Sequence, residues 1–222
     1  MAPTATPDQP NHPPDQPIDT PDQPIDAPDQ PTDTPDQTAR RLLTELGAAR
    51  LDHPGGTLLA HLDRVRDRLA GWGARPALQR AGLCHATYGT GGFAPVLLHP
   101  ADRSRLRDAI GPEAEALVFL YASCDRRPTY ASIATTTADR RAACAGPAIR
   151  FHDRFTGRTW LPAPSRLRDF AELTAANELD IAGVDSAFRE RWGADLRSLF
   201  TKLGPWLSAA ARQDCERELG GA

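Results

Sequence analysis

The sequence predicts a mainly α-helical protein with one small β-hairpin, preceded by a disordered N-terminal tail. Three observations support this fold class. After residue 38, apolar residues recur at intervals of three and four through much of the chain, as they do on one face of a helix. A single stretch, residues 148–161, alternates apolar and polar residues around Thr156-Gly157, which is typical of a hairpin. Before residue 39 neither period occurs, and proline is abundant.

The tail, residues 1–38, is built from a seven-residue repeat of the form Pro-Asp-Gln-Pro-x-Asp-x. A helix interior does not tolerate proline at this frequency, and the few apolar residues cannot offset the entropy lost on folding. We therefore expect an extended, solvated chain that is either a spacer, a product of repeat expansion, or a docking peptide. Residues 39–222 are expected to form a single domain, which is long enough to bury a sizeable core.

Several of the predicted helices carry recognisable end signals. Thr57 can cap a helix that Gly73 ends, and Pro76 suits the first turn of the next one. Residues 125–147 show no clear period and are expected to be irregular or weakly helical. The predicted helices are 38–49, 57–72, 76–86, 101–110, 112–123, 165–182, 184–201 and 205–218.

Charge and apolar content exclude several classes of protein. The net charge is −3, and removing the eight Asp of the tail leaves about +5 on the rest. That charge is too small and too dispersed for a nucleic-acid-binding surface. No apolar run approaches the roughly 18 residues of a membrane span, and no signal peptide is evident. We therefore expect a soluble cytoplasmic protein with no nucleic-acid or membrane partner.

Two features of composition bear on origin and redox state. Lys202 is the one lysine among 26 basic residues, which indicates the codon bias of a high-GC bacterium or, alternatively, arginine sites for phosphate or carboxylate groups. The cysteines show neither paired nor regular spacing, so free thiols are expected rather than a disulfide framework or a zinc knuckle. They are Cys84, Cys124, Cys144 and Cys215.

Polar residues predicted to face inward define a candidate site. His61 lies at the edge of an apolar stripe, and His85 faces inward on the next helix. Asn177 interrupts the stripe of a third helix, and a buried amide needs hydrogen-bond partners. With His53, which is close in sequence, they would line a pocket for a metal ion, since neutral imidazole is a common ligand. Alternatively, each inward residue is a satisfied member of the core.

The remaining histidines and the glycine-rich loop are weaker candidates. His12 lies in the tail, and His99 and His152 are expected to be solvent-facing or incidental. The loop 89–92 matches neither a Walker A motif nor a dinucleotide-binding fingerprint. It is either a lid over His85 or a long connection.

His61-Leu62-x-x-Val65, followed 24 residues after His61 by His85 within Ala81-Gly82-Leu83-Cys84-His85, resembles the HD superfamily of metal-dependent phosphohydrolases. Within this superfamily the resemblance is to the hydrolase domain of the bifunctional alarmone (guanosine tetraphosphate) enzymes. Residues 110–118 and the segment Ala175-Ala176-Asn177-Glu178-Leu179 are similar to two further motifs of that family, the second of which carries its last metal ligand. The resemblance covers roughly residues 53–182 and implies an HD-like helical bundle.

A second resemblance is to an uncharacterised bacterial domain-of-unknown-function family. Its pattern H-x-G-x-x-L-x-x-H-L is matched by the segment 53–62, and A-G-L-x-H-x-x-Y-G-T-x-x-F by the segment 81–93. This resemblance implies no established activity.

Two departures from the HD pattern affect the expected chemistry. The carboxylate after His85 is replaced by Ala86, and the last Asp by Asn177. The set His53, His61, His85 and Asn177 is then less anionic, so among divalent metals Zn²⁺ or Fe²⁺ is favoured over Mn²⁺. Glu178 and Asp180 are expected to project away from Asn177.

These departures leave three hypotheses open. The first is metal-dependent binding or hydrolysis of a small phosphorylated ligand. The second is a catalytically inactive HD-like module that senses a ligand or binds a protein. The third, an iron-dependent oxygenase, would require additional ligands.

Overall fold

The computed structural model describes residues 33–138 and 149–220, which lie in one unit, Asp33–Ala222. The predicted disorder of residues 1–32, the end of the segment 125–147 and the predicted free thiol of Cys144 fall outside these residues. The boundary placed at residue 38 is wrong, because residues 35–38 belong to the first helix. The described part is mainly helical, as the sequence predicts. Its helices are α1 (Pro35–Glu45), α2 (Leu58–Gly71), α3 (Pro76–Cys84), α4 (Arg103–Ile110), α5 (Pro112–Ser123), α6 (Arg126–Ala138), α7 (Pro164–Val184), α8 (Ser186–Leu203) and α9 (Ala209–Leu219).

Helix α1 begins earlier than its sequence period indicates. Thr34 caps it by accepting a hydrogen bond from the Gln37 backbone, while the Gln37 side chain accepts one from the Thr34 backbone. Such a reciprocal capping box satisfies backbone donors that would otherwise lack partners. Pro35 occupies the first turn, where its missing N–H costs nothing. The last repeat of the proline-rich segment therefore contributes the start of a helix.

Two antiparallel hairpins accompany the helices. The predicted one pairs β3 (Phe151–His152) with β4 (Thr159–Trp160), and Gly157 adopts the left-handed φ of 69° at its turn. The second pairs β1 (Asp52–His53) with β2 (Gly56–Thr57). The residues His53-Pro54-Gly55-Gly56 predict only a break between helices, whereas the hairpin that they form fixes the position of His53.

Helices α2 and α3 pack against each other at Gly82. A Cβ atom at this position would lie 2.5 Å from Cδ1 of the buried Leu69, closer than real contacts allow. Only glycine therefore allows this separation of the two helices without displacing Leu69. Since α2 carries His61 and α3 ends next to His85, the close packing brings the two imidazoles together.

Helix α7 lies between two clusters of buried apolar residues. Phe170, Leu173 and Ala176 pack into the first cluster, with α1 to α5. Ala171, Ala175, Leu179 and other α7 residues pack into the second, with α8 and α9. Helix α7 is therefore buried on opposite sides, and its polar residues Thr174, Asn177, Glu178 and Asp180 are buried as well.

The described helices include no segment that is both long and apolar enough to cross a membrane. The described cysteines, Cys84, Cys124 and Cys215, are free and buried, as the irregular spacing predicts.

Candidate functional site

The structure brings His53, His61, His85 and Asn177 into one cluster. The His53 and His61 rings stack with centroids 4.0 Å apart, and the His61 and His85 rings meet edge-on at 5.2 Å. His61 Nε2 lies 3.1 Å from Asn177 Oδ1, and the side chain of Asn177 also interacts with His85. Their role as metal ligands remains a prediction.

Asp180 contacts the Nδ1 side of the His61 ring, and Asn177 contacts its Nε2 side. His61 Nδ1 lies 2.6 Å from Asp180 Oδ2, and Arg64 donates to the two Asp180 carboxylate oxygens at 2.8 and 2.9 Å. Burial alone would raise the pKa of Asp180, but the hydrogen bonds from His61 and Arg64 outweigh it and lower the pKa. Asp180 is therefore ionised at neutral pH and accepts the Nδ1 proton of His61, which fixes the orientation of that ring.

The expectation that Glu178 and Asp180 project away from Asn177 is wrong. Residues three positions apart are neighbours on a helix surface, so Asp180 shares a face with Asn177. Glu178 is buried too, because α7 is covered on more than one side. The spacing of Asp180 from Asn177 was a signal that the sequence contained.

His85 is fixed by a backbone acceptor. Its Nδ1 donates to the Gly82 carbonyl at 2.8 Å, so the lone pair of the neutral ring is on Nε2. Burial, followed by the proximity of His61, lowers the pKa of His85 to about 3. His85 is therefore a neutral imidazole at physiological pH, the form that can accept a proton or bind a metal.

His53 reaches the cluster from the β1–β2 hairpin. Arg64 donates to the carbonyls of Pro54 and Gly55 at 3.2 and 3.4 Å and so ties this hairpin to Asp180. Burial, together with the nearby His61, lowers the pKa of His53 to about 4.

The amide of Asn177 has a defined orientation. Its Nδ2 donates to Glu178 Oε1 at 3.1 Å, and the same oxygen accepts from Arg126 at 2.9 Å. The opposite orientation would bring Asn177 Oδ1 towards a carboxylate oxygen, where two acceptors would repel each other. Glu178 thus directs Oδ1 of Asn177 at His61.

The histidine cluster lies at a cleft with a volume of about 1150 Å³. The cleft is also lined by residues of the glycine-rich loop, of α6 and of α8. In the loop, a Cβ at Gly92 would lie 2.8 Å from a guanidinium nitrogen of Arg126, so glycine lets the loop lie close to this side chain. Tyr130 also lines the cleft, and its buried hydroxyl has no hydrogen-bond partner within the described ranges 33–138 and 149–220.

The other histidines have local roles. His99 caps the short 3₁₀ segment Pro100–Asp102, with Nδ1 accepting from the Ala101 backbone. His152 lies 3.0 Å from the Thr159 hydroxyl across the β3–β4 hairpin. Neither residue lines the cleft. Arg64, Arg126 and Tyr130 are further residues of the site region, and the sequence does not single them out because no short motif marks them.

One segment of the chain matches a family model of undefined activity. Residues 42–126 match the family model described as a domain of unknown function (DUF6817). This segment includes His53, His61 and His85, whereas Asn177 and Asp180 lie outside it. No curated protein and no solved structure matches the chain.

Proposed function

We propose that this domain binds a small phosphorylated ligand in the cleft, together with a divalent metal ion held by His61, His85 and Asn177. The proposal rests chiefly on the contact between His61 Nε2 and Asn177 Oδ1. If His61 donates its Nδ1 proton to Asp180 and remains neutral, Nε2 carries a lone pair. Nε2 and the amide oxygen would then be two acceptors facing each other at 3.1 Å.

A positive centre between these two atoms would remove the conflict, and it could be a proton or a metal ion. Metal–ligand bonds of about 2.1 Å place neighbouring ligand atoms roughly 3.0 Å apart in octahedral and roughly 3.4 Å apart in tetrahedral geometry, and the observed separation of 3.1 Å lies between these values. The hydrogen bonds of His61 with Asp180 and of His85 with Gly82 are of the kind that orients metal-binding imidazoles. Two imidazoles and an amide suit Zn²⁺ or Fe²⁺ better than Mn²⁺. The order of the three residues also resembles the HD pattern.

The metal-free alternative has a specific observation in its favour. Within residues 33–138 and 149–220, no group of three or more His, Cys, Asp or Glu side chains is placed to hold a metal ion. In this alternative His61 is an imidazolium that donates to both Asp180 and Asn177. The cleft would then bind its ligand without a metal, as a sensing module does.

The balance of charges in the cleft makes phosphate binding dependent on the metal. Its lining contains three cationic side chains, Arg126, Arg127 and Lys202, and three anionic ones, Asp52, Glu178 and Asp195. Because these charges balance, a bound metal would supply the excess positive charge that attracts phosphate. The Tyr130 hydroxyl, which has no partner in the part of the chain that the structure describes, would donate its proton to a ligand oxygen.

We favour binding over hydrolysis as the function of the site. The two carboxylates nearest Asn177 in the chain are engaged, Glu178 with Arg126 and Asp180 with His61 and Arg64. A general base must be able to reach the proton that it removes. Neither carboxylate is free to do so in this arrangement.

Metal analysis by mass spectrometry tests the proposal. Protein incubated with Zn²⁺ or Fe²⁺ and then dialysed is expected to retain about one ion per chain. His85→Gln and Asn177→Ala should lose most of it, while the matched control His99→Gln should retain it. Equal trace amounts in all four proteins would refute metal binding.

If no metal is retained, ¹⁵N NMR of His61 tests the alternative, which requires protons on both ring nitrogens. Calorimetric titration with inorganic phosphate, with and without metal, tests the ligand class. Phosphate binding that requires the metal supports the first proposal. Binding of equal strength without it supports the metal-free site.

A further inference from the structure

The apolar part of the cleft points to a second property of its ligand. The cleft volume of about 1150 Å³ is slightly above the roughly 300–1,000 Å³ typical of small-molecule sites. A phosphate group bound at the histidine cluster would fill only a small part of it. The remaining lining should therefore match the rest of the ligand.

Helix α8 forms one side of the cleft. Phe188, Trp192, Leu196 and Leu199 follow one another at intervals of four, four and three residues, so they share a helix face. Ile181 of α7 extends the same apolar lining.

Trp192 is the residue of this face whose large apolar side chain is exposed to solvent. Its side chain is 41 % exposed, and it is one of four large apolar side chains left exposed among the described residues. The others, Val96, Leu161 and Val184, do not line the cleft. An exposed indole ring beside an apolar lining offers a large area for contact with an apolar ligand.

Aromatic rings continue from this face towards the polar end of the cleft. Phe93 and Tyr130 line the same cleft as Phe188 and Trp192. Phe93 contacts His53 edge-on, with centroids 5.5 Å apart, so the apolar lining reaches the histidine cluster. A ligand could therefore contact both parts at once.

We infer that the ligand is an aryl phosphate ester, whose aromatic body packs against Trp192 and Phe188 while its phosphate group lies at the histidine cluster. This inference rests on the proposed function for the phosphate end only. The aromatic contact depends on α8 and does not require a metal.

Calorimetry with three probes tests it on the metal-loaded full-length protein: 1-naphthyl phosphate, inorganic phosphate and 1-naphthol. We expect 1-naphthyl phosphate to bind at least about tenfold more tightly than inorganic phosphate, because the naphthyl ring becomes buried. Trp192→Ala and Phe188→Ala should each remove most of this advantage, and inorganic phosphate should bind both variants as it binds the wild type. The matched control Leu161→Ala, an exposed apolar side chain outside the cleft, should change neither affinity.

The outcomes separate this inference from the proposed function. Equal affinities for 1-naphthyl phosphate and inorganic phosphate, or a naphthyl advantage that survives both α8 substitutions, would overturn the aromatic contact and leave phosphate binding intact. If only the proposed function fails, 1-naphthol and its phosphate bind with equal strength, independently of the metal and of His85, and both lose affinity in Trp192→Ala. If Trp192→Ala changes the sedimentation coefficient of the protein but leaves the affinities for all three probes unchanged, the α8 face mediates association between protein chains and the inference is wrong.

Discussion

Replacing Asp180 by Asn tests the buried support of the histidine cluster. Asp180 is 3 % exposed and accepts hydrogen bonds from His61 Nδ1 at 2.6 Å and from Arg64 at 2.8 and 2.9 Å. Asparagine keeps the shape but removes the charge. It also places an NH₂ group opposite one of these donors.

The expected loss follows from the exposure of the partners. Removing one member of a fully buried ion pair costs about 3–5 kcal/mol, because the other charge remains unpaired. The Arg64 side chain is 32 % exposed and can regain water, whereas His61, at 1 %, cannot. We therefore expect Asp180→Asn to lower the free energy of unfolding by about 2–4 kcal/mol.

Urea unfolding followed by circular dichroism measures this change. The matched control is Asp63→Asn, which breaks the ion pair between Asp63 and Arg40. The side chains of these two residues are 35 % and 37 % exposed. That substitution should cost less than about 1 kcal/mol. If Asp180→Asn costs no more than this control, the network of Asp180, His61 and Arg64 does not hold the site together as described.

Three further predictions follow from the packing, the buried imidazole and the first helix. Gly82→Ala should lower the free energy of unfolding in urea by about 1–3 kcal/mol, since its Cβ would meet Leu69. The control Gly71→Ala, where a Cβ has open space, should not lower it. An equal effect at both sites would contradict the close packing at Gly82. In chelator-treated protein, the free energy of unfolding should fall by about 2 kcal/mol more between pH 7 and pH 5 for the wild type than for His85→Gln. The pKa of His85 is about 3 in the folded protein and 6.5 in the unfolded chain, so the unfolded chain binds the proton first as pH falls and is stabilised by it. If the free energy of unfolding changes in parallel with pH for the two proteins, this reasoning is wrong. Removing residues 1–36 should lower the free energy of unfolding, measured in urea, by about 1–2 kcal/mol relative to removing residues 1–32, because the longer deletion takes away the Thr34 cap and the Asp36–Arg66 ion pair. Equal stabilities of the two truncated proteins would show that neither contributes.

Local signals in the sequence defined many of the helices well. The stripe that begins at Leu58, with its Thr57 cap, gave α2 to within one residue at either end, and α5 (Pro112–Ser123) coincides with its prediction. The hairpin β3–β4 was found from alternation and from Gly157. These features depend on neighbours within one or two turns of the chain, which a single sequence displays directly.

Signals were weaker where structure depends on distant partners. Helix α6 occupies part of a segment for which the sequence showed no period, and β1–β2 has only two residues in each strand. A hairpin of that length is not stable alone. In this protein Arg64 holds it, from a position that sequence spacing does not indicate.

By itself, the sequence determined that His53, His61, His85 and Asn177 were the polar residues to examine, because each either faces inward in a helical period or lies beside one that does. Only the tertiary structure decided their partners. The prediction that Glu178 faces away from the site is wrong, since a sequence period does not show that a helix is covered on opposite sides. The hydrogen bond from His61 to Asp180 joins residues 119 positions apart, and no local propensity specifies such a pair. It forms because α7 packs against α2 and leaves a buried imidazole and a buried carboxylate with each other as partners.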